Sequence, residues 1–468
     1  MNWSQLLNSD RVRTSVSKKQ ETRSEFQKDY HRIVGSSAFR RLQDKTQVFP
    51  LEKSDFIRTR LTHSIEVSSL AKSLGQAVCK SLRDFNKLEI SNEEENAICD
   101  ILLSAGLLHD IGNPPFGHFG EVILQDWFRS NLSKLSYNGK KVEECLEPQM
   151  LADLKNFEGN AQTLRIISKL HSLIDQNGMN LTKGLLCTII KYPCSSTEIK
   201  IDKSIIHKKM GYFYSEKETF EDIVKSTGLV NCRHPLTFLL EAADDIAYLT
   251  ADIEDAAKKG LISIDKIHRA ANNLIEDYKR DESELKFLQI AVDTLKNYTD
   301  RNKEKLNAEL LTIQNWIISV QGLLIRSAVF SFSKNYNEIM EGTFNNDLFD
   351  GTHGKGLAKL LSKVAIDEIY NITEIYKLEL SAEKILSNLL DVFVPASINY
   401  ESGYELTGSE KRALSLISKS HMSVYQECSK HADEIEKLYL RIMMVTDFVS
   451  GMTDSYAKNL YKELNGLD

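Results

Sequence analysis

Apolar residues recur at helical spacing through most of this sequence, and that pattern restricts the fold more than any other feature. Two examples are Ile65, Leu70, Leu74 and Val78 in one segment, and Phe238, Ala242, Ile246 and Leu249 in another. Such spacing puts the apolar side chains on one face of an α-helix. The 468 residues include only 7 prolines and 22 glycines, so few positions break a helix. The sequence therefore predicts an all-α protein.

The periodic segments place helices along nearly the whole chain. Their approximate predicted bounds are 20–44, 60–84, 93–109, 118–132, 158–175, 235–258, 264–300, 302–334, 356–369, 381–392, 409–427 and 432–464. Strand patterns are weak, and the two best are at 45–51 and 212–214. Three segments richer in Asn, Gly, Ser and Lys interrupt the periodicity and predict loops or small insertions, at 133–155, 176–233 and 335–355.

Charge and cysteine content argue against several classes of protein. The formal net charge of -7 does not suit a chain built chiefly to coat nucleic acid. The 7 cysteines are scattered and form no CxxC pair, which argues against zinc ribbons and disulfide scaffolds. The first residues lack the apolar core of a secretion signal, and the most apolar stretch, 316–332, contains Gln321 and Arg326. We therefore expect a cytoplasmic protein without a membrane segment.

The segment LLSAGLLHDIGNPPFGHFGE, residues 102–121, carries the clearest chemical signal. Its apolar helix is predicted to end at His109 and Asp110, before a run of helix-breaking residues. His63 lies near the start of another predicted helix, and Asp244 and Asp245 lie inside an apolar one. Buried carboxylates are costly unless they are paired or bound to a cation, so both histidines, Asp110 and one aspartate of the 244/245 pair predict a divalent metal site. Two imidazoles and two carboxylates suit Mn, Fe, Mg or Co. The alternative is a structural role, because helix ends often hold a histidine.

Helical spacing also groups polar residues near this segment. His118 and Glu121 are three positions apart, so the carboxylate can orient the imidazole and raise its basicity. The alternative is a stabilising charge pair at a helix N-terminus. Arg60 lies three residues before His63, and its guanidinium can bind a phosphate through two hydrogen bonds.

A second group of polar residues follows one stripe of a predicted helix. Asp244, Tyr248 and Asp252 are spaced by four residues, so their side chains share one face. Asp245 projects about 100° away, and the shared stripe therefore favours Asp244 as the metal ligand. The alternative for Tyr248 is an aromatic residue of the core.

Several strings of this sequence resemble those of one enzyme family. They lie between about residues 30 and 456 and are RRLQDKTQVFPL, RTRLTHSIEV, LLHDIGNPPFGHFGE, FEGNAQTLRI, EAADDIAYLTADIEDA and DFVSGMTDSYA. The order His63, His109–Asp110 and Asp244 resembles the H…HD…D signature of the HD phosphohydrolase superfamily, whose members are helical, metal-dependent phosphoester hydrolases. The longer strings resemble the bacterial deoxyguanosine triphosphate triphosphohydrolases (dGTPases). The uninterrupted string HDIGNPPFGHFGE is highly specific.

The resemblance implies a role for each matching residue. The implied metal ligands are His63, His109, Asp110 and Asp244, and the implied catalytic pair is His118 with Glu121 as its acidic partner. The implied substrate contacts are Gln47, Val48, Arg60, Asn160, Lys191, Tyr192, Tyr248 and Asp252, with Arg165 as a further pocket-lining position. In the family, the residues matching Gln47 and Asp252 contact the 3′-hydroxyl of the sugar, and the matching tyrosine lies against the sugar. The positions of Lys191 and Tyr192 match contacts to the triphosphate and on the side of the base.

The resemblance also implies a reaction and an assembly. Family members hydrolyse a deoxynucleoside triphosphate to a deoxynucleoside and tripolyphosphate by attack at the α-phosphorus, so we expect a dGTPase that acts on dGTP, with other dNTPs as further substrates, and regulates dNTP pools. Mg or Mn is the expected metal, with Fe or Co as alternatives. We expect a homo-oligomer, commonly a hexamer in this family, and single-stranded DNA is a candidate effector.

The resemblance further suggests how the chain is divided. Residues 1–275 are expected to form the HD core with the metal and dNTP site, and residues 276–468 a helical region that packs on the core and in oligomer contacts. Two alternative functions remain at this stage. One is another HD-domain nucleotidase or phosphodiesterase, and the other is a nucleic-acid-binding regulatory protein with a vestigial HD site.

Overall fold

Helices form almost all the regular structure in the residues that the computed structural model describes, which are 1–13, 22–48, 57–171, 177–200, 204–277 and 282–467. The α-helices are α1 (Trp3–Leu6), α2 (Glu25–Val34), α3 (Ser37–Arg41), α4 (Arg60–Asp84), α5 (Asn92–Leu108), α6 (Gly117–Asn131), α7 (Val142–Cys145), α8 (Pro148–Lys155), α9 (Gly159–Arg165), α10 (Lys183–Ile189), α11 (Lys217–Thr227), α12 (Pro235–Lys258), α13 (Ile264–Asp277), α14 (Glu282–Asn302), α15 (Ala308–Lys334), α16 (Tyr336–Glu341), α17 (Lys355–Ala365), α18 (Thr373–Asn399), α19 (Gly408–Leu416), α20 (Lys419–Cys428), α21 (Glu434–Ser450) and α22 (Asp454–Leu464). The all-α prediction is confirmed.

Shorter elements complete the regular structure of the described residues. One antiparallel hairpin consists of β1 (Ser136–Tyr137) and β2 (Lys140–Lys141). The 3₁₀ turns are at Leu42–Asp44, Ser196–Glu198, Ile205–His207 and Tyr214–Glu216. Two π-helical segments, Ile166–Leu170 and Ile366–Tyr370, directly follow α9 and α17.

The helices with the strongest sequence signals begin and end where they are predicted. Helix α4 agrees with the prediction of 60–84, and α12 agrees with 235–258. Thr59 caps α4 by accepting a hydrogen bond from the backbone N–H of Thr62. Proline at the first position of α12 loses no hydrogen bond, because the first N–H groups of a helix have no partner within it.

Three predicted helices are wrong in length because each is divided by a cap. The predicted helix 20–44 becomes α2, α3 and a 3₁₀ turn, 409–427 becomes α19 and α20, and 432–464 becomes α21 and α22. In each case a hydroxyl starts the new helix: Ser36, Ser418 and Thr453 accept hydrogen bonds from the backbone N–H groups of the third residue after them. Such a cap satisfies a helix N-terminus without interrupting the apolar pattern.

Other predicted bounds also differ from the structure. The helix predicted at 381–392 is too short, because α18 continues on both sides and contains Pro395. The segments predicted as loops contain α7, α8, α10, α11 and α16. Parts of the predictions, at residues 20–21, 49–51, 172–176, 201–203 and 278–281, lie outside the described residues.

The strand predictions at 45–51 and 212–214 are wrong for the residues described there. Thr46 forms only an isolated bridge with Thr59, and Tyr214 begins a 3₁₀ turn. The hairpin lies instead where a loop is predicted, and Asn138 and Gly139 connect its strands with positive φ angles of 52° and 79°. An Asn-Gly pair favours that turn, so the sequence held a usable signal.

Two hydrophobic clusters form the interior. The first is built mainly from α4, α5, α12, α15 and α17, and the second from α6, α8, α18 and α21. In the first cluster α4 packs closely against α5 and α12. Gly106 permits this approach, because a Cβ there would lie 2.4 Å from the Cα of Ser68. Helices from both sides of residue 275 contribute to each cluster; the division at that residue stays a prediction.

Helix α15, which is long and apolar, packs partly in the interior, and the cysteines are buried or half-buried. Among the described residues, α15 is the single helix long and apolar enough to cross a membrane by length and composition. In its most apolar window 56% is buried inside the protein. All seven cysteines are free.

Candidate active site

Three helices bring the predicted metal ligands together from distant parts of the sequence. His63 lies in the first turn of α4, and His109 ends α5. Asp110 follows directly, and Asp244 lies within α12. Because α4 packs against both other helices, the four side chains lie close together. We call His63, His109, Asp110 and Asp244 the metal group.

The metal group is compact and largely shielded from solvent. His63 Nε2 lies 3.0 Å from Asp244 Oδ1, and His109 Nε2 lies 3.5 Å from the same oxygen. His109 Nε2 is also 3.5 Å from Asp110 Oδ2. One ligand atom from each of His63, His109 and Asp110 lies within 4.8 Å of the other two. The exposed fraction of the side chain is 1% for His63 but 34% for Asp244, so the group is open on the Asp244 side.

The donor atoms fit a divalent cation. Nδ1 of His109 lies 2.8 Å from the carbonyl oxygen of Gly106, so this nitrogen carries a proton, and in the neutral ring that binds a cation Nε2 presents the lone pair. That Nε2 is buried and has no hydrogen-bond partner among the described residues. A bound cation would satisfy it, and imidazole with carboxylate is a donor set that divalent metals accept.

Electrostatic interactions keep the carboxylates of the metal group ionised. Burial alone would raise the pKa of Asp110, but the charges of Arg60 and His109 outweigh it and the pKa lies well below its usual value. The pKa of Asp244 is also lowered, because its interactions with His109 and His63 outweigh burial. Against the effect of burial, the two carboxylates in turn raise the pKa of His109. The metal group thus holds two ionised carboxylates beside two imidazole rings, a donor set that suits a divalent cation.

Arg60 connects the metal group with the start of α6. Its Nη1 donates to Asp110 Oδ2 at 2.6 Å, and its side chain is 5% exposed. Gly117, the first residue of α6, has a φ of +62°, and a Cβ there would lie 2.4 Å from Nη2 of Arg60. Glycine is therefore required both by the left-handed backbone and by the space that the guanidinium occupies.

His118 and Glu121 form a hydrogen-bonded pair next to Arg60. His118 Nδ1 lies 2.9 Å from Glu121 Oε2, and the imidazole is 78% exposed while the glutamate is 5% exposed. Glu121 Oε1 accepts a hydrogen bond from the backbone N–H of Gly159 at 2.8 Å. The hydrogen bond and the charge of Glu121 raise the pKa of His118. A buried, anchored carboxylate thus orients an imidazole that solvent and substrate can reach.

Lys209 is a charged neighbour of this pair that the sequence did not indicate. Its Nζ lies 2.7 Å from Glu158 Oε2 and 3.9 Å from Glu121 Oε2. The residue falls in the segment 176–233, where loops or insertions are predicted, and no motif marks it. Only the folded chain places it beside Glu121.

An open cavity of about 290 Å³ lies beside the His118–Glu121 pair. Five residues predicted to act on substrate line it: Gln47, Val48, Arg60, His118 and Tyr248. The Oε1 atom of Gln47 is buried and has no hydrogen-bond partner among the described residues. The cavity is also lined by residues that the sequence did not single out, namely Phe119, Tyr370, Ile375, Leu378, Glu379 and Ala382.

Tyr370 joins the two residues that follow Asp244 on the α12 stripe. Its hydroxyl donates to the carboxylate of Asp252 and lies 2.7 Å from the hydroxyl of Tyr248. The two tyrosine rings stack at 6.4 Å with an interplanar angle of 11°. Burial raises the pKa of Asp252 to about 7, although the Tyr370 hydrogen bond opposes this. Tyr370 ends a π-helical segment, where an α-helical period does not indicate which way a side chain points.

Two further predicted substrate residues lie near the metal group but do not line this cavity. Lys191 Nζ forms an ion pair with Glu241 Oε1 at 3.0 Å, one turn before Asp244 on α12. Its Nζ is 5.8 Å from the ring of Tyr192, which is buried. Lys191 is therefore a positive charge near Asp244, and it is paired with Glu241.

Asn160 and Arg165 make contacts within the protein. Asn160 Nδ2 donates to Glu158 Oε1 at 2.6 Å. The guanidinium of Arg165 is buried and forms ion pairs with Asp447 at 2.7 Å and Glu216 at 2.8 Å. Neither residue lines the 290 Å³ cavity.

The sequence is similar to proteins of one named group over its full length. Residues 60–186 match the family model for the HD domain, a range that begins at Arg60 and includes the His118–Glu121 pair. The deoxyguanosinetriphosphate triphosphohydrolase-like protein of Listeria monocytogenes is 46% identical over 100% of both chains. The deoxyguanosinetriphosphate triphosphohydrolase of Klebsiella pneumoniae is 32% identical over 95% of this chain and 94% of its own. The probable deoxyguanosinetriphosphate triphosphohydrolase of Pseudomonas aeruginosa is 31% identical over 95% and 93%. The chain therefore carries an HD domain and belongs to the family of the deoxyguanosinetriphosphate triphosphohydrolases.

Proposed function

We propose that this protein is a metal-dependent dGTP triphosphohydrolase that releases deoxyguanosine and tripolyphosphate. The observation that carries the proposal is the metal group next to a cavity lined by Arg60, His118 and Tyr248. The names of the full-length relatives supply the substrate class. Each part of the reaction has a group positioned for it: cation ligands, phosphate-binding charges, a proton-transferring pair and a wall for the sugar.

The metal group holds the catalytic cation in this proposal. His63, His109, Asp110 and Asp244 would bind it through two ring nitrogens and two carboxylates, and the unpartnered Nε2 of His109 supports this assignment. A divalent cation supplies positive charge that makes the α-phosphorus more susceptible to attack by water. Mg or Mn is our choice, with Fe or Co as alternatives, because oxygen and imidazole donors suit all four.

Arg60 and Lys191 would bind the triphosphate. Arg60 is buried beside Asp110 and also lines the cavity, which supports a contact with the α-phosphate next to the cation. Lys191 lies near Asp244 and is paired with Glu241. Positive groups at these two places neutralise charge that builds up on the phosphate chain during the reaction.

His118 would transfer the proton, with Glu121 as its positioning residue. The raised pKa of His118 favours the protonated imidazole near neutral pH, which suits donation to the 5′-oxygen of the leaving deoxynucleoside. Glu121 holds the ring through Nδ1 and leaves Nε2 directed to the reacting groups. Because the ring is largely exposed, a bound nucleotide can reach it without a rearrangement of the core.

The sugar would lie between Tyr248, Val48 and Gln47. A rigid ring packed against C2′ leaves no room for a ribose hydroxyl and offers it no hydrogen bond. The buried and unpartnered Oε1 of Gln47 can accept a hydrogen bond from the 3′-hydroxyl. Asp252 is linked to the same cavity because it accepts a hydrogen bond from Tyr370, which lines it. Asn160 and Tyr192 are proposed to contribute at the edge of the bound nucleotide.

We further propose a cytoplasmic homo-oligomer, with the helical region 276–468 contributing to subunit contacts. Single-stranded DNA is a candidate effector of its activity. These proposals rest on the family alone. Hydrodynamic measurements test the oligomeric state, and the rate of dGTP hydrolysis with and without a single-stranded oligonucleotide tests the effector.

A nucleotide panel tests the proposed function. The protein is incubated with each dNTP and with GTP, in Mg or Mn, and kcat/KM is measured for each pair. We expect dGTP to be hydrolysed far faster than GTP, and Tyr248→Ala to narrow that ratio by admitting GTP while it also weakens dGTP. An unchanged ratio in the variant would move sugar discrimination away from Tyr248. Equal rates for dGTP and GTP in the unmodified protein would refute a dNTP-specific enzyme.

A further inference from the structure

A second and smaller cavity, of about 90 Å³, lies close to the metal group. None of its lining residues lines the 290 Å³ cavity. Its walls come from α3, from the π-helical segment after α9 and from α20 and α21, and they include Ile111, the residue next to Asp110. Nothing in the proposed dGTPase reaction uses these walls.

Two cations without carboxylate partners line this second cavity. Lys45 is 3% exposed, and its Nζ donates to the backbone carbonyls of Asn113 and Ser450 rather than to an acid. Arg41 is exposed, and among the residues described its side chain forms neither an ion pair nor a hydrogen bond. Burial lowers the pKa of Lys45 to about 7, although the charge of Asp454 opposes this. An anion in the cavity would stabilise the charged form of Lys45.

The other polar walls do not supply the missing negative charge. Asp447 is the single carboxylate among the described lining residues. Its Oδ1 accepts from Arg165 Nε at 2.8 Å and Gln162 Nε2 at 2.9 Å, and its Oδ2 accepts from Arg165 Nη2 at 2.7 Å. Both of its oxygens are therefore engaged. Ser420, in the first turn of α20, adds a hydroxyl at a helix N-terminus, where the partial charge is positive.

We propose that this cavity is an anion site that takes one phosphate group, with Arg41 and Lys45 as its charged ligands. A phosphate offers several acceptor oxygens. Arg41 supplies donors with a full positive charge, and a bound phosphate favours the charged form of Lys45. The N-terminal turn of α20 and Ser420 complete the binding surface on the opposite wall.

Lys45 connects this site to the metal group by hydrogen bonds, so a bound phosphate affects the metal group. The carbonyl oxygen of Lys45 accepts a hydrogen bond from the backbone N–H of Arg60 at 3.1 Å. Its Nζ contacts the carbonyl of Asn113, whose Nδ2 donates to Asp110 Oδ1 at 2.6 Å. A phosphate that holds the Lys45 side chain thus stabilises both partners of the Arg60–Asp110 pair.

Calorimetric titration of the metal-loaded, full-length protein with inorganic phosphate tests this site. Arg41→Gln should weaken one binding event by about tenfold or more, the usual effect of losing a hydrogen bond between charged groups. Arg40→Gln is the matched control, because both neighbouring arginines are exposed but Arg40 does not line the cavity and donates to the carbonyl of Gly35. Asp244→Asn removes a proposed metal ligand and should leave this event in place.

Three results would overturn the proposal. The first is that phosphate shows no saturable binding. The second is that Arg40→Gln and Arg41→Gln weaken phosphate binding equally. The third is that phosphate binding is lost in Asp244→Asn but kept in Arg41→Gln. None of these readouts depends on hydrolysis, so they are separate from the fate of the dGTPase proposal. In the Asp244→Asn protein, a deoxynucleoside monophosphate that binds more tightly than phosphate, in an event that the further change Arg41→Gln weakens, would identify a nucleotide as the natural source of the phosphate group. Weaker binding would identify free phosphate, and either order supports the site.

Discussion

Glu121 controls the protonation of His118, and this gives a prediction on pH dependence. Because its hydrogen bond and charge raise the pKa of His118, Glu121→Gln should lower that pKa toward the ordinary value for histidine. The protonated imidazole is then lost at a lower pH, so the alkaline limb of the pH profile of kcat should move to more acidic values. A profile that stays in place would show that His118 is not the titrating group.

The two neighbouring aspartates of α12 provide a test of the metal ligands. Asp244 Oδ1 lies within 3.5 Å of both histidine rings, whereas Asp245 is exposed to solvent. Asp244→Asn should lose bound metal and activity together, and Asp245→Asn should keep the metal. Metal content after dialysis, measured by elemental analysis, decides between them. Loss of metal in the second variant only would show that the wrong aspartate was assigned.

At the residue scale, the sequence identified groups that lie in recognisable strings and missed groups that reach the site from elsewhere. His109, Asp110 and His118 all lie within 102–121, and helical spacing correctly placed Tyr248 and Asp252 on one face. Tyr370 and Lys209 carry no such signal. The direction of the Tyr370 side chain depends on a π-helical turn, and Lys209 lies in a segment without clear periodicity.

Helix α6 depends on Gly117, and its replacement is a test at the scale of the element. Gly117→Ala should lower stability through the left-handed backbone, at a cost of about 1–2 kcal/mol, and should also displace Arg60 from Asp110. Activity should therefore fall together with Tm. Gly260→Ala is the control, because Gly260 has a φ of +72° but nothing within 4 Å of its added Cβ. Equal loss of activity in both variants would contradict the contact with Arg60.

Helix bounds show where periodicity stops being informative. The pattern located α4 and α12 correctly, because each has one uninterrupted apolar face and a clear cap. It failed at Ser36, Ser418 and Thr453, where a hydroxyl cap starts a new helix while apolar residues continue on both sides. Ser and Thr also occur in exposed helix positions, so a capping hydroxyl is recognised only when its hydrogen bond is seen.

At the scale of the whole molecule, the C-terminal helix is hydrogen-bonded to two residues that line the 290 Å³ cavity. Asp454, at the start of α22, accepts hydrogen bonds from the backbone N–H of Phe116 at 2.9 Å and of Thr46 at 3.0 Å. Asp454→Ala leaves these donors unpaired and should cost about 1–3 kcal/mol for each one that is buried. Both Tm and kcat/KM for dGTP should fall. Ser455→Ala, which loses only an exposed bond to Asp44, should change little, and a similar effect of the two would refute this role.

Hydrolysis of dGTP in ¹⁸O-labelled water, followed by mass spectrometry of both products, tests the central claim most directly. Attack at the α-phosphorus, with His118 protonating the leaving 5′-oxygen, predicts unlabelled deoxyguanosine and tripolyphosphate that carries one ¹⁸O atom. Release of dGMP or dGDP, or label in the deoxyguanosine, would contradict the proposed reaction.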